Sequence, residues 1–238
     1  MKTKRYTRFA FALLAIAFTT NLTAQTQVKA SQVMKAIKNG ETIAYENVTI
    51  TGVLDFTFMD DKLDEFPRRS RWWRDGTNEV KETIESKVTF KNVVFEEDVL
   101  AYFHDKRSGY TFTADFEQEV IFENCQFLRD AMFKYSVFEE GATFSGSKFQ
   151  RENSFKYAEF ESRADFANTY FDDDAMFKYT EFNEGVSFRK AVFDGSVDMK
   201  YTKVSGDLDI EDMDVRWDII TKYAEVNGRS FTRYLINN

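Results

Sequence analysis

The feature that most limits this chain is a beat of phenylalanines, six and five residues apart in alternation from Phe116 to Phe193. A second signal sets its phase at 22 residues, because the pair Lys-Tyr recurs at Lys134-Tyr135, Lys156-Tyr157, Lys178-Tyr179, Lys200-Tyr201 and Lys222-Tyr223. The unit is therefore four segments of 5, 6, 5 and 6 residues, and such a period outranks local propensity. Eleven residues also make about three helical turns. On a helix, however, residues five apart point roughly 140° away from each other, so no single apolar stripe forms.

The local pattern reads as strand. Two positions before a phenylalanine stands a second small or apolar residue, as in Ala131, Ala142, Ala158, Ala164 and Ala175. Period two places both on one face. Short strands whose inward positions recur every 22 residues must stack on themselves, about 4.8 Å apart. The predicted fold class is all-β, a right-handed quadrilateral β-helix with 22 residues per coil.

Its core is four columns. One holds Phe122, Phe144, Phe166 and Phe188, the next Phe127, Phe149, Phe171 and Phe193, the third Phe133, Phe155 and Phe177, and the last Phe138, Phe160 and Phe182. Met199, Val204, Ile210 and Val215 continue the beat. The extra residue of the longer segments is expected at a corner, with Gly141 and Gly185 supplying a positive φ there. Cys125, the only cysteine, falls two before Phe127 in the small inward column, so it is read as a buried free thiol.

These residues resemble the pentapeptide-repeat family in its phenylalanine-centred form, common among bacteria. In that family a central Leu or Phe is preceded two positions earlier by a small residue. The resemblance covers roughly residues 43–232. It implies the solenoid fold. It also brings one function into view, since some members mimic duplex DNA and inhibit DNA gyrase.

Residues 1–24 read as a signal peptide: Lys2, Lys4, Arg5 and Arg8 precede a ten-residue apolar run from Phe9 to Phe18, too short to span a bilayer. Cleavage is expected after Ala24. It would take four of the 32 basic residues and none of the 40 acidic ones, moving the net charge from −8 to −12. That balance repels phosphate backbones and anionic lipid, and no later stretch is long and apolar enough for a span. Localisation is therefore read as secreted or periplasmic.

Residues 25–41 read as a linker and capping helix, with Ser31 as N-cap, Val33, Met34 and Ile37 inward and Gly40 as the stop. Residues 42–238 then form the β-helix, interrupted at about 57–86 and 99–112. The first interruption is the candidate partner-binding site. Arg68, Arg69, Arg71 and Arg74 surround Trp72 and Trp73, a set suited to bidentate contacts and cation–π stacking, or to folding back on the solenoid's carboxylates.

Other features carry less. The Lys-Tyr rows could stack against carbohydrate, or could be duplicated surface whose charge Glu139, Glu161 and Glu184 offset. Asp172, Asp173, Asp174 and Asp194 could gather Ca²⁺ or form a solvated corner. His104, the sole histidine, has no cysteine nearby to make a zinc site and no motif for a catalytic triad.

No cofactor, metal site or catalytic residue is expected, and the chain is not read as an enzyme. The leading reading is an exported, non-catalytic structural or protein-interaction module of the cell envelope. Its partner would be another envelope or extracellular protein, with no nucleic acid expected. A homodimer through a poorly capped end stays open. The alternatives are a DNA-mimic inhibitor, which the export signal argues against, and a carbohydrate-binding or polysaccharide-acting β-helix.

Overall fold

The computed structural model describes residues 26–63 and 78–236. Short strands stack into four sheets of eight, nine, seven and seven strands, almost all of them parallel, which is the four-sided β-helix that the repeat demands. The register keeps the 22-residue period: Phe138 lies beside Phe116 and Phe160, and Phe149 beside Phe127 and Phe171. The columns of Phe122, Phe127, Phe133 and Phe138 mark faces one to four.

The inward phenylalanines are fully buried and stack coil on coil. Ring centroids are 4.5 Å apart for Phe127 and Phe149, 5.0 Å for Phe149 and Phe171, and 5.3 Å for Phe133 and Phe155, with planes within 8° of parallel. Opposite faces interlock edge to face, as Phe155 does with Phe144 and Phe166, each at 5.1 Å. Rings thus fill the interior in two geometries at once, offset stacks along the axis and T-shaped contacts across it.

The chain turns after every second phenylalanine through a tight i to i+3 turn, for example Ala158 N–H to the Phe155 carbonyl at 2.9 Å. A type II turn needs a left-handed residue at its third position. That residue is Asn124, Tyr135, Tyr157, Asn168, Tyr179, Lys190, Tyr201, Asp212 and Tyr223, all at φ between 53° and 64°. The expectation for the glycines is corrected here. Gly185 is left-handed at φ 89°, but Gly141 is not, and the regular left-handed sites lie in the five-residue segments.

Two columns of buried hydroxyls, one at each turning corner, tie these turns together. Ser147, Thr169, Thr180 and Thr202 each donate to the carbonyl of Phe122, Phe144, Phe155 or Phe177 one coil earlier, at 2.6 to 3.1 Å. Cys125 occupies the column of Ser147 and Thr169, with Sγ 3.4 Å from the Phe90 carbonyl. Ser136 belongs to the column of Thr180 and Thr202, yet its Oγ has no partner among the described residues. The carbonyl it would reach is that of Ala101, which already accepts from Ala114 N–H at 2.9 Å.

Helix α1, Ala30–Lys38, lays Val33, Met34 and Ile37 on the first coil and stops at Gly40, φ 72°. It begins earlier than Ser31, with Lys29 at the N-cap and the Lys29 N–H donating to Gln32 Oε1 at 3.4 Å. The preceding residues are not a simple linker, because Thr26–Lys29 pairs in parallel with Val48–Thr51. At the far end Arg229–Ser230 folds back antiparallel on Glu225–Val226, Phe231 is buried and helix α3, Thr232–Ile236, follows.

Two substitutions separate the effects. Phe155→Ala should cost about 3 to 5 kcal/mol in denaturant unfolding, because rings on all sides prevent collapse into the hole. Thr180→Ala should cost about 0.5 to 1.5 kcal/mol by loss of its inter-coil bond, whereas Ser136→Ala should stay within about 0.5 kcal/mol of the parent. Equal losses at 136 and 180 would contradict the hydroxyl-column reading.

Candidate functional site

Both interruptions of the repeat occur at one corner, between faces three and four, in successive coils. Ile84 is already buried in register beside Phe116, so the first ends before it. Val99–Leu100 is still in register beside Ala131–Met132, and Ala101 is fully buried, so the second begins at Tyr102. Arg68, Arg69, Arg71, Trp72, Trp73 and Arg74 lie outside the described residues.

The flanks of the first insertion are described. Asp55 accepts from the Thr57 N–H and the Met59 N–H at 2.9 and 3.0 Å, at the start of helix α2, Met59–Leu63. Lys62 pairs with Glu82, and Lys38 with Asp61 at 2.8 Å. The chain re-enters along Glu79–Ile84, parallel to Thr111–Phe116, and Tyr102–Asp105 pairs antiparallel with Tyr110–Thr113 on the other side. A small three-stranded sheet therefore projects from this corner. His104 supports it, with Nδ1 2.9 Å from Thr111 Oγ1.

Below the projection runs the Lys-Tyr ladder. Tyr135, Tyr157, Tyr179, Tyr201 and Tyr223 stack with centroids 4.6 to 4.9 Å apart, and Tyr102 tilts over the first at 5.9 Å. All five are left-handed, a costly conformation for a bulky residue. The same turn at the corner between faces one and two uses Asn124, Gly146, Asn168, Lys190 and Asp212. Tyrosine is therefore kept for its ring and not for the turn.

The lysines lie over these rings: Lys134 on Tyr135 at 4.9 Å, Lys156 on Tyr157 at 4.9 Å and Lys178 on Tyr179 at 5.1 Å. Glu139, Glu161 and Glu184 do not offset them, contrary to expectation. Glu161 instead accepts from Asn183 at 3.0 Å, and among the described residues Lys200 alone of the row meets a carboxylate, Asp198 at 3.1 Å. Burial, then the like charges of Lys134 and Lys178, hold the Lys156 ammonium below its ordinary value. Neighbouring rings and lysines also occupy the tyrosine faces, so stacking of a sugar along the ladder is not offered.

Face three beside the ladder is a groove of 590 Å³. Leu100, Met132, Ser154 and Met176 form its floor, Tyr102, Phe103 and His104 its end wall. Lys134 and Lys156 line one flank, while Asp98, Asp130, Glu152 and Asp174 line the other. None of these six charges forms an ion pair among the described residues. Elsewhere several charges are matched between coils, as in Lys91–Glu123 at 2.8 Å, Lys148–Asp172 at 3.0 Å and Arg189–Asp209 at 2.9 Å.

The other candidates are absorbed by the fold. Asp172 pairs with Lys148, Asp194 with Arg216 and with the Tyr170 hydroxyl at 3.1 Å, and Asp174 accepts the Ser196 N–H at 2.7 Å. No group of three or more potential metal ligands comes together among the described residues. Burial pushes the Cys125 thiol up to about 12, far from a reactive thiolate. No helix among the described residues is long and apolar enough to cross a membrane.

The depressed Lys156 has a measurable consequence. The folded chain releases that proton at lower pH than the unfolded one, so stability rises as pH climbs from the depressed value to the ordinary lysine range. Thermal unfolding of Lys156→Met should show a flatter rise across that window than the parent. Parallel curves would contradict the crowding of the lysine column.

No curated protein and no solved structure matches the chain. The family of pentapeptide repeats does match, over residues 133–181 and again over 155–203. The second match begins one 22-residue coil after the first, on the stretch where phenylalanine columns, tight turns and the Lys-Tyr ladder are most regular. The coils of residues 133–203 are pentapeptide-repeat coils.

Proposed function

We propose that this protein is a non-catalytic interaction module exported to the cell envelope, and that face three with its Lys-Tyr corner is the working surface. The carrying observation is the mismatch of charge. Cross-coil pairs tie up several charges on the other faces, while the two flanks of the face-three groove hold opposite charges across an apolar floor with no ion-pair partner among the described residues. Like-charged columns a coil apart are unfavourable by themselves, so their retention beside an apolar floor fits a surface completed by another molecule. The basic amino terminus and apolar run support export.

The competing readings fit less well. A DNA mimic presents continuous negative charge, which the lysine column interrupts. A sugar-stacking surface needs open aromatic faces, and the ladder uses its own.

Whole-cell crosslinking of the tagged chain, read by mass spectrometry, tests the proposal. Three forms are compared: the parent, a Lys134→Glu, Lys156→Glu, Lys178→Glu form, and one with Arg68, Arg69, Arg71, Trp72, Trp73 and Arg74 replaced. The expected result is an envelope protein captured by the parent and lost from the lysine variant. Loss only from the arginine and tryptophan variant would move the site to that insertion, and equal capture by all three would remove both.

A further inference from the structure

The sheet that projects above face three is unfinished. Its outer strand, Tyr102–Asp105, pairs with Tyr110–Thr113 on one side only, and no described strand lies on the other. Exposed sheet edges are ordinarily blunted by lysine, proline, a bulge or a cover. This one carries Tyr102, Phe103 and His104 and ends on the single charge of Asp105, has neither lysine nor proline, and borders a groove already formed. The phenolic oxygen of Tyr102 receives Lys134 Nζ at 3.3 Å, which fastens the base of the edge to the ladder.

We propose that the groove of face three receives an extended segment of a partner protein, added as a strand to the free edge of Tyr102–Asp105 and running across the face with a basic end, an apolar middle and an acidic end. This rests on the interaction-module reading and names the chemistry of the partner. Backbone hydrogen bonds to the edge supply affinity without regard to sequence, and the groove supplies selectivity.

The selectivity follows from the lining. The basic end lies over Asp130, Glu152 and Asp174, the carboxylates three positions before Phe133, Phe155 and Phe177. The middle covers Met132 and Met176, flexible thioethers that adapt to different apolar side chains. The acidic end meets Lys134 and Lys156, whose ammonium groups are crowded by one another and gain most from an incoming carboxylate. Toward the carboxyl terminus the floor changes to Asp198, closed by Lys200 at 3.1 Å, so the receptive stretch ends there.

The test uses the full exported chain and short capped peptides that run from arginine through valine and threonine to glutamate, together with the same residues in reversed order. Binding is followed by the methyl signals of Met132 and Met176 and by hydrogen exchange of the Tyr102–Asp105 amides. The forward peptide should shift both methyls and protect the edge amides. A Lys134→Glu, Lys156→Glu form, checked for an unchanged melting temperature, should bind it about tenfold more weakly and prefer a peptide that is basic at both ends. Met176→Glu should weaken it independently.

Unmoved methyls, unprotected edge amides, or equal binding of forward and reversed peptides would overturn the proposal. So would signals that respond only to protein concentration, which would place a second copy in the groove. If the peptides are silent while whole-cell crosslinking still captures an envelope protein through face three, the strand-addition proposal fails and the module reading stands. No captured protein on any face would remove the module reading itself.

Discussion

Stacking of one phenylalanine on the next, coil after coil, is the constraint on which this protein depends. Ring separations of 4.5 to 5.4 Å along the columns match the spacing of parallel strands, so the side-chain stack and the backbone ladder reinforce each other. Opposite columns also interlock edge to face, so rings fill the interior between the four sheets. What distinguishes one part of the molecule from another is therefore written on its surface and in its turns.

Repetition turns every residue choice into a column, inside and out. Inside, that favours the fold: a hydroxyl at one turn becomes a row of inter-coil bonds, and Ser136 loses its bond only where the hairpin takes the carbonyl it needs. Outside, it penalises charge, since a lysine at one coil is a lysine at the next. Lys148 with Asp172, and Arg189 with Asp209, answer this with partners on a neighbouring coil. The Lys-Tyr corner covers its lysines with rings and, among the described residues, leaves Lys134, Lys156 and Lys178 without carboxylates at the edge of an apolar groove.

The fold was legible because its signal is long-range order. A 22-residue period fixes face, register and column together, which is why the phenylalanines from Phe122 to Phe193 fall where spacing puts them. Turn chemistry was less legible, because a left-handed tyrosine contradicts ordinary preference and only stacking with its neighbours explains it. The groove was readable in principle, as acidic residues recur three before each face-three phenylalanine and lysines one after it. What hid it was ion pairing. Spacing shows that charges form columns but not which columns neutralise each other, and the hairpin that walls the groove lies outside the repeat.

The central claim is that the unpaired columns of face three exist for a partner. A photo-crosslinking residue placed at Met176 on face three, and separately at the outward Val192 on face two, measures this directly in living cells. The account predicts a discrete crosslinked species of one partner at position 176 and none at 192. The same species at both positions, or none at 176, would contradict it and leave the charge of face three as a tolerated result of repetition.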